Sequence, residues 1–111
     1  MIIEQKQWSK KLKWSPMQES KLAEKADLVF IFGETTILKE EGILKELQAI
    51  YPKAQQFGCS TSGEIHNTAI YDDTISVVAI HFEHTKIKFG DIHLQSADES
   101  FHAGEMLAKK L

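Results

Sequence analysis

Between Leu28 and Phe32 apolar residues follow one another without a polar break, and Gly33 closes the run. A run this short and this rich in β-formers, with no alternation, predicts a strand covered on both faces, as in a parallel sheet. From Lys39 to Tyr51 the spacing changes. Ile43, Leu44, Leu47, Ile50 and Tyr51 recur every three or four residues and predict one apolar stripe on a helix. Glu40 and Glu41 fall in its first turn, where negative charge suits the helix dipole. Gly42 weakens that start by about 1 kcal/mol relative to alanine, and Pro52 ends the helix. Ala54 to Cys59 then reads as a second strand. Strand, helix and strand in this order make a βαβ unit with a right-handed crossover.

Residues Ile75–Glu83 and Thr85–Leu94 predict two further strands around a His84-Thr85 turn. Val77 and Ala79 share one face of the first, and Val78, Ile80 and Phe82 the other. In the second, Ile87 and Phe89 are out of phase with Ile92 and Leu94, which places a bulge at Gly90-Asp91. Ser96-Ala97-Asp98-Glu99 has the spacing of a capping box. The helix it opens carries Phe101, Gly104, Leu107, Ala108 and Leu111 along one face. That stripe reaches the last residue with no Gly or Pro after it and reads as a cut element. Near the N-terminus, Ser15-Pro16 predicts a helix start running through Met17, Leu22 and Ala23 to about Lys25.

The fold class these elements predict is α/β: a mixed sheet of about four strands, a βαβ unit followed by a β-hairpin, with helices packed on it. Residues 1–26 form a basic arm and helix in this reading, and residues 27–111 the α/β domain proper.

Composition narrows the class. The 111 residues suffice for one small domain, and 42% hydrophobic with 26% charged residues is a globular profile. A net charge of −3 argues against a nucleic-acid footprint over the whole surface. Lys6, Lys10, Lys11 and Lys13 make the first residues locally basic, interleaved with Trp8, Leu12 and Trp14. This arm reads as a solvated edge whose tryptophans dock on the core rather than as a membrane or nucleic-acid contact. The single cysteine, Cys59, permits no internal disulfide and suits a reducing compartment. No apolar run approaches the ~20 residues that span a bilayer, and Met1-Ile2-Ile3 is no signal-peptide core. The expectation is a cytoplasmic chain without membrane insertion.

The densest chemistry lies in Gly58-Cys59-Ser60-Thr61-Ser62-Gly63-Glu64. Two glycines, which permit positive φ and close approach of a ligand, bracket a thiol and three hydroxyls. Successive N–H groups in such a turn can form a nest for an anion, the hydroxyls can donate or accept, and Glu64 can pair with a cation. In an open α/β sheet this position, beyond the carboxyl end of a strand, is where ligands bind. A plain polar turn whose hydroxyls satisfy its own backbone fits the composition equally well. The loop lacks the spacing and lysine of a Walker motif.

Other groups carry less. Cys59 as a nucleophile needs a base, and His66 is the nearest in sequence; a packing or ligand-lining role suits the thiol better. His81 and His84 fall on opposite faces of a strand, and His93 and His102 on separate elements, so no metal site is expected. Asp72-Asp73 reads as a turn into the next strand, not a calcium loop. No catalytic residue and no cofactor is assigned.

The stretch Gly58-Cys59-Ser60-Thr61-Ser62-Gly63-Glu64-Ile65 resembles the signature of the FIST family, in its N-terminal domain. Residues Ala26 to Gly33 resemble the preceding strand of that domain, Asp72 to Ala79 the Asp-rich entry to the next, and Ala103-Gly104 the small pair in the following helix. The resemblance implies a sensory domain of a signal-transduction protein, with amino acids as ligands proposed for the family and Gly58–Glu64 as the ligand-binding residues. Relatives described as haem-binding nitric-oxide sensors imply a gas sensor as one alternative; the apolar helix stripe ending at Leu111 suggests a docking segment without its own ligand as another, and Cys59 a cysteine-dependent enzyme as a third. A whole FIST region is several times longer, so the remainder of that region or a signalling output domain is the expected protein partner.

Overall fold

The computed structural model describes residues 1–17 and 19–111. The strands are β1 (Ile2–Ser9), β2 (Lys13–Ser15), β3 (Leu28–Gly33), β4 (Gln55–Ser60), β5 (Glu64–His66), β6 (Ala69–Tyr71) and β7 (Thr74–His81). The helices are α1 (Thr35–Leu38), α2 (Ile43–Ile50) and α3 (Ser100–Lys110), the last preceded by a 3₁₀ turn at Ala97–Glu99. Five strands form a mixed sheet in the order β2-β1-β7-β3-β4, and β5 and β6 form a separate hairpin. The α/β class and the parallel β3–β4 pair joined through helices are as the sequence predicts.

One face of the sheet is closed. Trp8, Val29, Ile31, Ile75, Val77 and Ala79 project to that side and meet Ile37, Ile43, Leu47 and Tyr51. Burying each large aliphatic side chain stabilises the fold by roughly 1.5–3 kcal/mol. The opposite face carries Ile3, Phe30, Phe32, Phe57, Val78 and Ile80, and Ile3, Phe32 and Phe57 remain exposed there.

The stretch expected as a basic arm supplies two strands instead. β1 lies antiparallel between β2 and β7 along its whole length. Trp8 is buried and Trp14 packs against the core, as expected. Lys6 is buried beside them, donating to the Pro16 carbonyl at 3.0 Å. No helix runs from Pro16 to Lys25 among the described residues; Gln18 lies outside them. Leu22 and Ala26 are buried, but Met17 is 91% exposed, so the segment has no apolar stripe at helical spacing. It forms turns, closed by Lys25 N–H and Ala26 N–H on the Leu22 carbonyl.

The helix expected over 39–51 is broken at Gly42, whose φ of 113° lies outside helical backbone. α1 begins earlier, capped by Glu34, whose carboxyl accepts from Thr36 N–H and Ile37 N–H at 2.7 and 3.0 Å. The strand expected at 85–94 is absent: β7 already has β1 on one side and β3 on the other, so no hairpin partner position remains. Residues Phe89 and Gly90 lie instead in the segment against α3, where Gly90 meets Leu107 and Leu111. The Ser96 side chain caps nothing; Glu99 accepts from Gln95 N–H at 3.2 Å.

Glu4 ties β1 to α2 and to the turn segment, accepting from Tyr51 Oη at 2.6 Å and Lys21 N–H at 2.8 Å. Burial pushes its carboxyl up, but hydrogen bonds from Tyr51, Ser20 and Lys21, with the Lys6 ammonium, outweigh this and hold it below its ordinary 4.5. A carboxyl lowered on folding stabilises the fold above its unfolded value, and that contribution is lost as pH falls through the folded value. The urea midpoint is therefore expected to fall as pH drops below about 4.5, and Glu4→Gln to flatten that decline. An unchanged slope in the variant would clear Glu4 of any part in acid sensitivity.

Candidate functional site

The stretch Gly58–Glu64 is not one loop. Gly58, Cys59 and Ser60 complete β4, Thr61, Ser62 and Gly63 form a bend, and Glu64 opens β5. The bend starts where Thr61 N–H donates to the Gly33 carbonyl at 2.9 Å, extending the β3–β4 pairing by one bond. It ends where Glu64 turns inward. Glu64 is 1% exposed and accepts from Thr61 Oγ1 at 2.7 Å, Thr74 Oγ1 at 2.8 Å and Thr74 N–H at 3.3 Å. The carboxyl expected to meet a ligand cation is thus engaged from within the chain, holding the bend against the start of β7.

The glycines also differ from expectation. Neither Gly58 nor Gly63 takes left-handed backbone; among the described glycines Gly42 does. Gly58 is required by its neighbour strand, since a Cβ there would lie 1.9 Å from the Ile31 carbonyl oxygen. Gly63 is under no such constraint: its nearest neighbours to a Cβ are 3.6 Å away or more.

What the arrangement does create is a recess of about 310 Å³ beside the free edge of β4. Ile31, Leu38 and Leu44 form its apolar wall, and Gln56, Gly58, Cys59 and Ser60 line the strand side. The apolar wall was not singled out by sequence reading. Its signal was Leu44, which belongs to the α2 stripe yet stays 36% exposed. Cys59 is exposed and lines the recess rather than packing in the core. His66 lies against Ser76, with Nδ1 and Oγ 3.4 Å apart, and Ser76 Oγ donates to the Ile65 carbonyl at 3.1 Å.

The remaining candidates have structural partners. Asp72-Asp73 is the turn between β6 and β7, with Asp73 at φ 54°. His81 Nδ1 lies 3.0 Å from Asp27 Oδ2, which also accepts from Phe82 N–H at 2.8 Å. Among the described residues no group of three or more His, Cys, Asp or Glu side chains is placed to hold a metal. No helix among them is long and apolar enough to cross a membrane.

A mixed five-stranded sheet with helices packed on it defines the chain as an α/β domain. The family model for the FIST N domain matches residues 27–111. The chain belongs to the FIST family, whose domain is a sensory-type domain of signalling proteins. Neither the curated proteins nor the solved structures contain a match. The matched region begins at Asp27, yet the sheet it builds is completed by β1 and β2 from the residues before it.

Proposed function

We propose that this chain is the sensing part of a signalling protein, not an enzyme, and that it takes a small ligand in the recess beside β4. The observation that carries this reading is the recess itself, with one wall supplied by the first three residues of the family signature, Gly58, Cys59 and Ser60. Its chemistry narrows the ligand. The wall of Ile31, Leu38 and Leu44 suits an apolar group, while the Ser60 hydroxyl, on the same face of the sheet as Ile31, and the outer backbone groups of β4 offer hydrogen bonding at the strand. Among amino acids, those with an apolar side chain match both halves. Glu64, engaged by Thr61 and Thr74, has no contact with the ligand in this reading.

The test is two-dimensional NMR of the ¹⁵N-labelled chain titrated with leucine, phenylalanine, serine and glutamate. Leucine or phenylalanine is expected to shift the Gly58, Cys59 and Ser60 amide signals more than the polar pair does. Leu44→Trp, which fills the recess from an exposed position, is expected to abolish those shifts. Equal shifts in the filled variant would place binding elsewhere and sink the assignment.

A further inference from the structure

The two edges of the five-stranded sheet are built differently. At one, β2 is three residues long, starts at Lys13 in left-handed backbone (φ 55°) and is followed at once by Pro16. Shortness, a lysine and a proline are the devices that stop a sheet edge from pairing further. At the other, β4 runs for six residues in unbroken register with β3. Its sequence, Gln55-Gln56-Phe57-Gly58-Cys59-Ser60, has no charge and no proline, and all but Gln56 are exposed. Its outer N–H and C=O groups form a row that only another extended strand can match group for group.

Apolar side chains flank this edge on both faces. Phe57, 64% exposed, stands on the open face edge-on to Phe30, which in turn stacks on Phe32, and Leu44 stands at the rim of the helical face. An edge of this kind, neutral within a chain in which 26% of residues are charged, is suited to be covered.

We propose that the β4 edge is a self-association surface, and that its occupant is β4 of a second copy of this chain. The pairing is antiparallel about a two-fold axis normal to the sheet. Three features favour a second copy. A backbone edge is self-complementary when paired antiparallel, as a two-fold contact requires. The six residues bring no like charges together, whereas like charges directly opposite in a strand pair are destabilising. The same axis brings residues of one face onto the same face of the partner, so each Phe57 meets the other copy's Phe57 side and each Leu44 its Leu44 side. The recess beside β4 would then lie at the junction of the two copies, but the proposal does not depend on a ligand being bound there.

Sedimentation velocity of the full chain over a wide concentration range tests it, together with Phe57→Lys and, as a control on the open face away from this edge, Ile3→Lys. Both residues are exposed, so both variants are expected to keep the wild-type circular dichroism spectrum. The wild-type chain and Ile3→Lys are expected to dimerise. Phe57→Lys is expected to weaken dimerisation about tenfold or more, because two lysines then meet across the axis. Amide exchange provides a second readout: β4 amides not bonded to β3 exchange more slowly as concentration rises. A chain that is monomeric throughout overturns the proposal and leaves the edge to a different polypeptide. So does a dimer that Phe57→Lys leaves intact, or one that Ile3→Lys disrupts equally, since either moves the contact off this edge.

Discussion

Replacing Gly58 by alanine is expected to cost about 3 kcal/mol of stability, at the upper end of what overpacking does, while the same change at Gly63 is expected to be neutral. Both glycines belong to the family signature, and sequence reading gave them one role. The structure separates them. A Cβ on Gly58 would lie 1.9 Å from the Ile31 carbonyl oxygen and 2.7 Å from its carbon. Those are backbone atoms of the neighbouring strand, so no rotamer change relieves the clash. β4 would have to move away from β3, loosening the pairing from Ile31–Gly58 to Gly33–Ser60 and the Thr61 N–H bond that follows it. At Gly63 a Cβ meets Asp72, Ile70 and Tyr71 at 3.6–3.9 Å, ordinary contact distances, and its backbone is not left-handed. Alanine there also reduces the freedom of the unfolded chain, a small favourable effect. Urea denaturation of both variants decides the matter: a Gly58→Ala midpoint equal to wild type would show that this glycine serves something other than strand pairing. A recess that still bound ligand in a correctly folded Gly63→Ala would show that its openness does not depend on a glycine at 63.

The contrast illustrates which parts of this fold could be read from sequence. β3 and the central part of β7 are apolar runs buried on at least one face, and burial writes itself directly into composition. β1 is as long as β7, yet its residues on the closed face include Glu4 and Lys6. Their charges are met by Tyr51, Lys21 and Pro16, contacts that no local pattern encodes. The hairpin of β5 and β6 has three residues in each strand, too few to show alternation; its one local mark is Asn67, in left-handed backbone at the turn. The expected strand at 85–94 failed for the opposite reason. Its alternation is real, but whether a strand forms depends on a free neighbour position, and β1 had taken the one beside β7. Edge availability is a property of the whole sheet.

The same division runs through the site. That residues 58–60 lie at the carboxyl end of a strand beside a helix follows from the order of elements, and the recess is where that order places it. That Glu64 faces inward does not. It depends on Thr74, which stands ten residues on, beyond a hairpin the sequence does not announce.

Removal of the Glu64 carboxyl is expected to destabilise the fold by about 3 kcal/mol, because it leaves buried donors without an acceptor. Glu64→Leu keeps much of the volume but abandons Thr61 Oγ1, Thr74 Oγ1 and Thr74 N–H, all within 3.3 Å of the carboxyl oxygens. The hydroxyls can turn to other acceptors; the backbone N–H cannot. Glu64→Gln retains one acceptor oxygen, and its amide can donate to whichever hydroxyl it faces, so a smaller loss of about 1 kcal/mol is expected. Thr74→Val removes one hydroxyl from the same group, and its effect is expected to be less than additive with Glu64→Gln, as for residues sharing one network. Full additivity would mean that the two side chains do not act together. The variants also separate two roles for this carboxyl. If it latches the bend to β7, Glu64→Gln lowers stability, and any change in ligand affinity follows from the altered position of Ser60. If instead it reaches the ligand, Glu64→Gln leaves the urea midpoint unchanged and weakens binding of cationic ligands alone. The buried position and the short contacts to Thr61 and Thr74 favour the latch. Under that reading, Glu64 of the signature holds the bend in place while the first three residues of the signature line the recess.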